Sequence, residues 1–463
     1  MSSTQNSCAD GKVLSGCQLP VRRAAVGALL CFLATSLPST GRAQSPLPPL
    51  RQQAEIRMEW LRYRLDSVLP TLMRKYGIQM WVVCGREYNE DPVFFSLVAP
   101  TSMSMGRRTI LVFHDRGPGQ PLERLNLGYG GPLYTSLRDT ALARATGSWG
   151  RDRFVLLRRV IDERKPRSIA IDISEDDAFA DGLSAGDYVQ LEAALGPEWM
   201  ARVRHADALA LDYLAVRAPG MLEWERRLME IAHQIIATAF SRDVIMPGVT
   251  RADDVAWWAR QRLNDLGLDT WFQPYITVQR RGVDGDTLRN PVILPGDVLH
   301  IDFGISAMGL RTDTQHMAYV LQSGETAPPA GLMAAMRNTN RLQDIVMAEL
   351  KPGRSGNEVL EASLAAMRAA GITGSVYSHP VGDHGHAAGA FIGLFDRQER
   401  SSGRGEVRVL PDTWYSVELV ATTPVAEWGN QPVAVYEEED AALDGAGATH
   451  WILRRQADFH LVR

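Results

Sequence analysis

Two aspartates eleven residues apart carry the first sign of chemistry in this chain: Asp302 in Leu299-His300-Ile301-Asp302-Phe303-Gly304, and Asp313 in Arg311-Thr312-Asp313-Thr314. Both adjoin apolar, strand-like runs at 298–303 and 317–321. An ionised carboxylate taken out of water without a partner is neutralised, paired or bound to a cation. Two of them on neighbouring strands repel unless something positive lies between; a salt-bridged core aspartate beside a surface one is the plain alternative. Three more donors follow in order. Ser378-His379-Pro380-Val381-Gly382-Asp383-His384-Gly385-His386 places three of the ten histidines among glycines, where backbone can approach a ligand and neutral imidazole can bind a transition metal. Trp414-Tyr415-Ser416-Val417-Glu418-Leu419-Val420 holds one acid in an apolar strand. Tyr436-Glu437-Glu438-Glu439-Asp440 ends the series. Along a strand Glu437 and Glu439 share one face and Glu438 takes the other. We expect one of the same-face pair to point inward and Glu438 and Asp440 to face solvent.

The elements around these residues show a weak duplication. Helical stretches at 223–242 and 255–266 lead into a strand at 271–278, and stretches at 334–350 and 359–370 lead into strands from 375. Thr250 with Asp253, and Ser355 with Glu358, have the spacing of an N-terminal capping box. Two such copies would build a curved sheet with helices outside and a carboxylate-lined mouth. Upstream, residues 50–216 alternate helix and strand: a long helix at 56–76, strands at 79–83, 109–113 and 168–173, and helices at 135–145 and 187–195, which predicts an α/β layer. Residues 217–220 are the expected linker.

The 463 residues, 45% hydrophobic, suffice for two domains with their own cores. A net charge of −5 with interspersed signs argues against nucleic acid or an anionic membrane as main partner. Arg22-Arg23 precede a short apolar run at 24–34 that closes on Gly41-Arg42-Ala43, the pattern of a secretory signal peptide over 1–43; a single membrane anchor is the alternative. Past this leader no stretch is long enough to span a bilayer. Cys8, Cys17 and Cys31 fall inside it, leaving Cys84 alone in a core strand and no disulfide framework in an exported, periplasmic or secreted chain.

The order Asp, Asp, His, Glu, Glu over residues 221–463 resembles the pita-bread metallopeptidases, among them methionine aminopeptidase, aminopeptidase P and prolidase. Asp302 and Asp313 keep that family's spacing, His379 stands at its histidine ligand, and His386 follows seven residues later at its second, catalytic histidine. Glu418 matches its penultimate glutamate; Glu437 best matches the last, with Glu439 second. The resemblance implies an α+β fold with a pseudo-twofold curved sheet, and two divalent ions held by Asp302, Asp313, His379, Glu418 and Glu437. A hydroxide between the ions would attack an amide, Glu418 would carry its proton to the leaving amine, and His386 would steady the tetrahedral intermediate. Such an oxygen-rich set favours manganese, cobalt or iron(II) over zinc. Residues 50–216 resemble the N-terminal domain of creatinases and prolidases, which implies a homodimer. The implied substrate is a peptide, with Xaa-Pro cleavage by an aminopeptidase or dipeptidase first. The sequence departs from the family where a substrate-orienting histidine would precede Asp302, in Val278-Gln279-Arg280-Arg281-Gly282, and where Val435 replaces an arginine. Arg280 or Arg281 is a candidate to hold a substrate carboxylate, with a solvated arginine pair as the alternative; His384 is a further substrate-binding candidate. A metal-dependent lyase or esterase, a metal-free amidinohydrolase and a binding protein that has lost catalysis are the rival functions.

Overall fold

Burial on both faces of one sheet organises the first half of the chain. The computed structural model describes residues 46–128, 130–146, 150–283, 285 and 288–463, so the expected leader at 1–43 lies outside the described residues. Strands β1 (Met80–Gly85), β2 (Thr109–His114), β3 (Glu123–Asn126), β4 (Thr135–Ser136), β5 (Ile169–Ile171) and β6 (Val203–His205) form a six-stranded mixed sheet in the order β4-β3-β2-β1-β5-β6. Strand alternation sends Trp81, Val83, Leu111 and Phe113 to one side, against Leu65, Leu69, Met73 and Tyr213. It sends Met80, Val82, Ile110 and Val112 to the other, against Phe154, Leu157, Val160 and Leu191. The expected helix at 56–76 is one continuous run, Leu50–Tyr63 and Leu69–Lys75, joined by a π-helical turn at Arg64–Val68. Thr135 and Ser136, expected in a helix, form an edge strand instead, and the helix there is Thr140–Thr146. Cys84 is buried in β1.

The second half is built on a nine-stranded sheet. Its strands are β7 (Tyr275–Gln279), β8 (Val298–Phe303), β11 (Thr314–Val320), β12 (Thr373–Val376), β13 (His379–Pro380), β14 (Thr413–Val425), β15 (Gln431–Leu443), β16 (Thr449–Trp451) and β17 (His460–Val462). A small hairpin of β9 (Ser306–Ala307) and β10 (Leu310–Arg311) separates β8 from β11. The main path runs β12-β14-β15-β11-β8-β7. Helices Met221–Ala239 and Ala252–Asp265 lead into β7 at one end; helices Ala330–Glu349 and Gly356–Ala369 lead into β12 at the other. The duplication expected from sequence is thus visible as two helix-helix-strand units flanking a central pair of hairpins, and the fold is mixed α+β.

Helices cover one face of this sheet. Leu299, Ile301 and Phe303 of β8 pack with Leu228, Ala232, Ile235, Val255 and Ala259. Val417 and Leu419 of β14 pack with Leu342, Val346, Val359 and Leu360. Each large aliphatic side chain so buried contributes about 1.5–3 kcal/mol, which fixes the strand register and with it the residues left for the other face. Ser355 and Glu358 form the expected capping box, Oγ accepting from Glu358 N at 3.2 Å and Ser355 N donating to Oε2 at 2.7 Å. At the first copy the register is one residue later: Arg251 N donates to Asp254, not Asp253, while Thr250 Oγ1 accepts from Met246 N. Among the described residues no helix is long and apolar enough to cross a membrane.

A candidate metal centre on the open face of the sheet

With the apolar residues of β8, β11, β14 and β15 turned to the helices, their alternates meet on the opposite face in one cross-strand row. Glu418 pairs with Glu438, Glu438 with Gln315, Gln315 with Asp302, and Asp302 with Tyr275. Asp313 lies just before β11, and His379 on β13 pairs with Ser416 of β14. His379 Nε2 lies 3.4 Å from Glu438 Oε1, 3.6 Å from Asp313 Oδ2 and 3.7 Å from Glu418 Oε2. Two overlapping donor sets result: Asp302, Asp313 and Glu438, and His379, Glu418 and Glu438, each with donor atoms within 4.8 Å of one another. Glu438 belongs to both.

Glu438 therefore occupies the place that sequence gave to Glu437, with Glu439 as fallback. The strand alternation was right and the choice of face was not: all four acids of 437–440 are buried, none in a solvated turn. Glu437 and Glu439 face the helices. Both oxygens of Glu437 are buried without a hydrogen-bond partner, and burial, with Glu439 beside it, holds its carboxyl well above the ordinary carboxylate range. Glu439 is bound by His233 and His316. Asp440 shares the open face with Glu438 and accepts from Asp313 N at 3.3 Å.

The site's electrostatics call for a cation. Burial first, then Glu438, Asp302 and Glu418, push Asp313 well above its ordinary pKa; burial and Glu438 do the same to Asp302 and Glu418. The tautomer of His379 sharpens the point. Its Nδ1 lies 3.0 Å from Pro380 O, a partner that can only accept, so Nδ1 carries a proton and Nε2 is the ring atom turned to the carboxylates. That buried Nε2 has no hydrogen-bond partner, nor has Asp302 Oδ1. Four carboxylates gathered with one imidazole nitrogen are the donor types that divalent ions take, and the residues present fit such ions.

Two neighbours that sequence reasoning missed hold the carboxylates. Gln315 Nε2 donates to Glu438 Oε2 at 2.8 Å and to Glu418 Oε1, while its Oε1 faces His300 Nε2 at 2.8 Å. His300 Nδ1 meets Thr277 Oγ1 at 3.2 Å. This chain fixes which way the Gln315 amide points. Ser416 Oγ adds a bond to Glu438 Oε1 at 2.7 Å. Supports of this kind are worth roughly 10–100-fold in metal affinity. Gln315→Ala should therefore weaken metal loading by about that factor in a Mn²⁺ titration while the folded spectrum is unchanged; unaltered affinity would remove Gln315 from this role.

The other expected site residues divide. His386 stands next to the cluster: its ring lies 4.5 Å from that of His379 and 5.2 Å from Trp271, and it joins Asp313 and His379 in a third donor set. Gly385 allows this, since a Cβ there would meet Trp271 at 2.2 Å. His384 turns away to Phe179, with ring centroids 4.7 Å apart, and to a cavity of about 280 Å³ lined by Arg57, Arg64 and Arg311. Arg280 is committed to Asp297, Nε–Oδ1 2.7 Å, and to Val292 O, so it is not free to clamp a substrate. Arg281 is exposed beyond the end of β7. Tyr275 hydrogen-bonds to Asp302, and Tyr377 and Tyr436 lie near the same carboxylates, with Tyr436 4.7 Å from the His300 ring. These tyrosines surround the acids with aromatic surface.

Residues 225–429 match the family model Metallopeptidase family M24. None of the curated proteins matches the chain by sequence. Among solved structures, an X-Pro aminopeptidase from Thermotoga maritima superposes with a TM-score of 0.58 at 16% identity, covering 85% of this chain and 100% of its own. An Xaa-Pro dipeptidase from Bacillus anthracis gives 0.56 at 14%, covering 88% and 99%. Prolidase from Pyrococcus furiosus gives 0.51 at 13%, covering 84% and 100%. At these identities the likeness is one of fold, and that fold is the pita-bread arrangement the sequence resembled.

Proposed function

We propose, from the premise that the chain carries a domain of metallopeptidase family M24, that it is a metal-dependent peptidase that cleaves short peptides with proline after the scissile bond. The observation that carries the proposal is the convergence of His379 Nε2 and the Asp313, Glu418 and Glu438 carboxylates, 3.4–3.7 Å apart. Asp302, Asp313, His379, Glu418 and Glu438 would hold two divalent ions. When bound, such ions acidify water and polarise a carbonyl. The hard oxygen set favours Mn²⁺, with Co²⁺ and Fe²⁺ next.

The chain's own groups supply the rest. Glu418, with one oxygen tied to Gln315 and the other toward His379, is placed to take a proton from attacking water and return it to the leaving amine. His386, at the edge of the cluster, is placed to donate to the oxygen that gains charge. Tyr275, Tyr377 and Tyr436 offer flat apolar faces to a substrate side chain or prolyl ring. With Arg280 tied to Asp297, the prolyl preference rests on the likeness to Xaa-Pro peptidases alone, and a lyase or esterase using the same donors is the rival reading.

The test is metal content per chain together with alanine release from Ala-Pro and Ala-Pro-Ala, with and without Mn²⁺. Two Mn²⁺ ions at the open-face donors, lost in Asp302→Asn/Glu418→Gln, and Mn²⁺-dependent release are expected. Two metals without release would move the search to other amides, esters or lyase substrates; protein that cannot be loaded would sink the proposal. Export is a separate proposal, resting on the sequence of the leader. It predicts a mature chain that begins at Gln44, which N-terminal sequencing after secretion would check.

A further inference from the structure

The helix-covered face of the same sheet carries a second convergence of donors, in which neither the proposed chemistry nor the family match assigns a role. His233 comes from helix Met221–Ala239, His316 from β11, Glu439 from β15 and His460 from β17. His233 Nε2 lies 2.9 Å from Glu439 Oε2, and His316 Nε2 lies 2.7 Å from Glu439 Oε1. The three donors fall within 4.8 Å of one another and all three residues are buried. The His233 and His316 rings pack edge to face at 4.6 Å. We propose that His233, His316 and Glu439 form a mononuclear site for a zinc-class divalent cation, back to back with the carboxylate cluster across one strand.

Three observations support this. The donor set of two imidazoles and one carboxylate is the one that binds zinc while leaving a position open. Ligands on a tetrahedral ion at Zn–N distances sit roughly 3–3.5 Å apart, near the 2.9 and 2.7 Å nitrogen–oxygen separations found here. Next, His316 Nδ1 lies 3.1 Å from His460 Nε2. Once the Nε2 atoms of His233 and His316 turn their lone pairs to a cation, His316 Nδ1–H donates to His460, the outer partner that metal-bound histidines ordinarily have. Last, a cavity of about 580 Å³ reaches His233, His316 and His460, with Glu230 and Asp458 but also Arg454 and Arg455 in its wall, and gives an ion a way in. The competing arrangement is a proton network in which both Nε2–H groups donate to Glu439.

Metal analysis of the full chain, stripped with chelator and reloaded with Zn²⁺ or Co²⁺, separates the two. Wild type should bind one equivalent more than His233→Gln. The double variant Asp302→Asn/Glu418→Gln, whose catalytic cluster is crippled, should keep one Co²⁺ with the intense visible bands of a tetrahedral nitrogen–oxygen site, and adding His233→Gln should abolish them. His460→Gln should weaken that ion by roughly 10–100-fold without removing a ligand. Equal metal content in wild type and folded His233→Gln overturns the proposal, as does a folded double variant that binds none. The readout is independent of peptidase activity: failure of the catalytic proposal would leave the one-equivalent difference intact.

Discussion

Glu438→Gln should abolish activity while its neighbour Glu437→Gln leaves it nearly untouched. Glu438 belongs to both donor sets of the open face, and its carboxylate lies 3.4 Å from His379 Nε2. Amide substitution there removes a charge common to both donor sets, and a loss of roughly 10³-fold or more in kcat/KM, about 4 kcal/mol of barrier, is expected. Glu437 lies on the other face, where burial and Glu439 raise its carboxyl pKa well above the ordinary range and favour the neutral form. An amide has nearly the same shape and no charge to lose, so Glu437→Gln should retain metal content and rate within about a few-fold, with stability changed by less than about 1 kcal/mol. Steady-state rates and metal content on the two purified variants decide it. Equal loss in both, or a larger loss at Glu437, would return the last ligand to the position sequence first suggested.

The source of that difference shows how far the sequence could be read. Asp302, Asp313, His379 and Glu418 stood out because each is an acid or imidazole in surroundings that should exclude charge, and the structure brings all four together. In the run 437–440 every residue is acidic, so composition cannot mark the inward face, and alternation gives two equivalent choices. The missing information was cross-strand register. The turn at Ala426–Trp428 lies midway between Glu418 and Glu438, so folding β14 onto β15 sets them opposite each other; that symmetry is in the sequence for a reader who places the turn first. Gln315 and His300 were passed over for another reason: neutral polar residues in a strand acquire a role only when neighbouring carboxylates turn toward them. The quartet His233, His316, Glu439 and His460 has no local signature at all, because its members come from four elements more than two hundred residues apart at the extremes. Arg280 failed as a substrate clamp because Asp297, a turn residue before β8, claims its guanidinium.

Removing one carboxylate outside the donor cluster should cost this protein more stability than any single apolar truncation at its surface. Asp383 sits in the Gly-His loop between two buried arginines: Arg64 Nη1 donates to Oδ2 at 2.7 Å and Arg217 Nη1 to Oδ1 at 3.0 Å. Arg64 belongs to the long first helical run, Arg217 to the segment before helix Met221–Ala239, and both also donate to Leu214 O. A Cβ at Gly382 would meet Arg217 at 2.3 Å, so the loop can approach the guanidinium only with glycine there. Asp383→Asn keeps the shape but leaves two guanidinium charges without an anion, and breaking a buried pair in this way costs about 3–5 kcal/mol. Burial works to raise the Asp383 pKa, but Arg64 and Arg217 outweigh it and hold the carboxyl below its ordinary value. Its contribution to stability is therefore complete above the ordinary aspartate pKa of about 4 and is lost as pH falls from there through the lower, folded value. Urea unfolding should show the wild-type midpoint dropping through that acid range and the Asp383→Asn midpoint starting lower at neutral pH and falling less. A variant within about 1 kcal/mol of wild type at pH 7 would mean that water already screens the pair. Because the same loop carries His386 beside His379, the folded fraction of Asp383→Asn should also show a lower kcat than Glu437→Gln under identical metal loading.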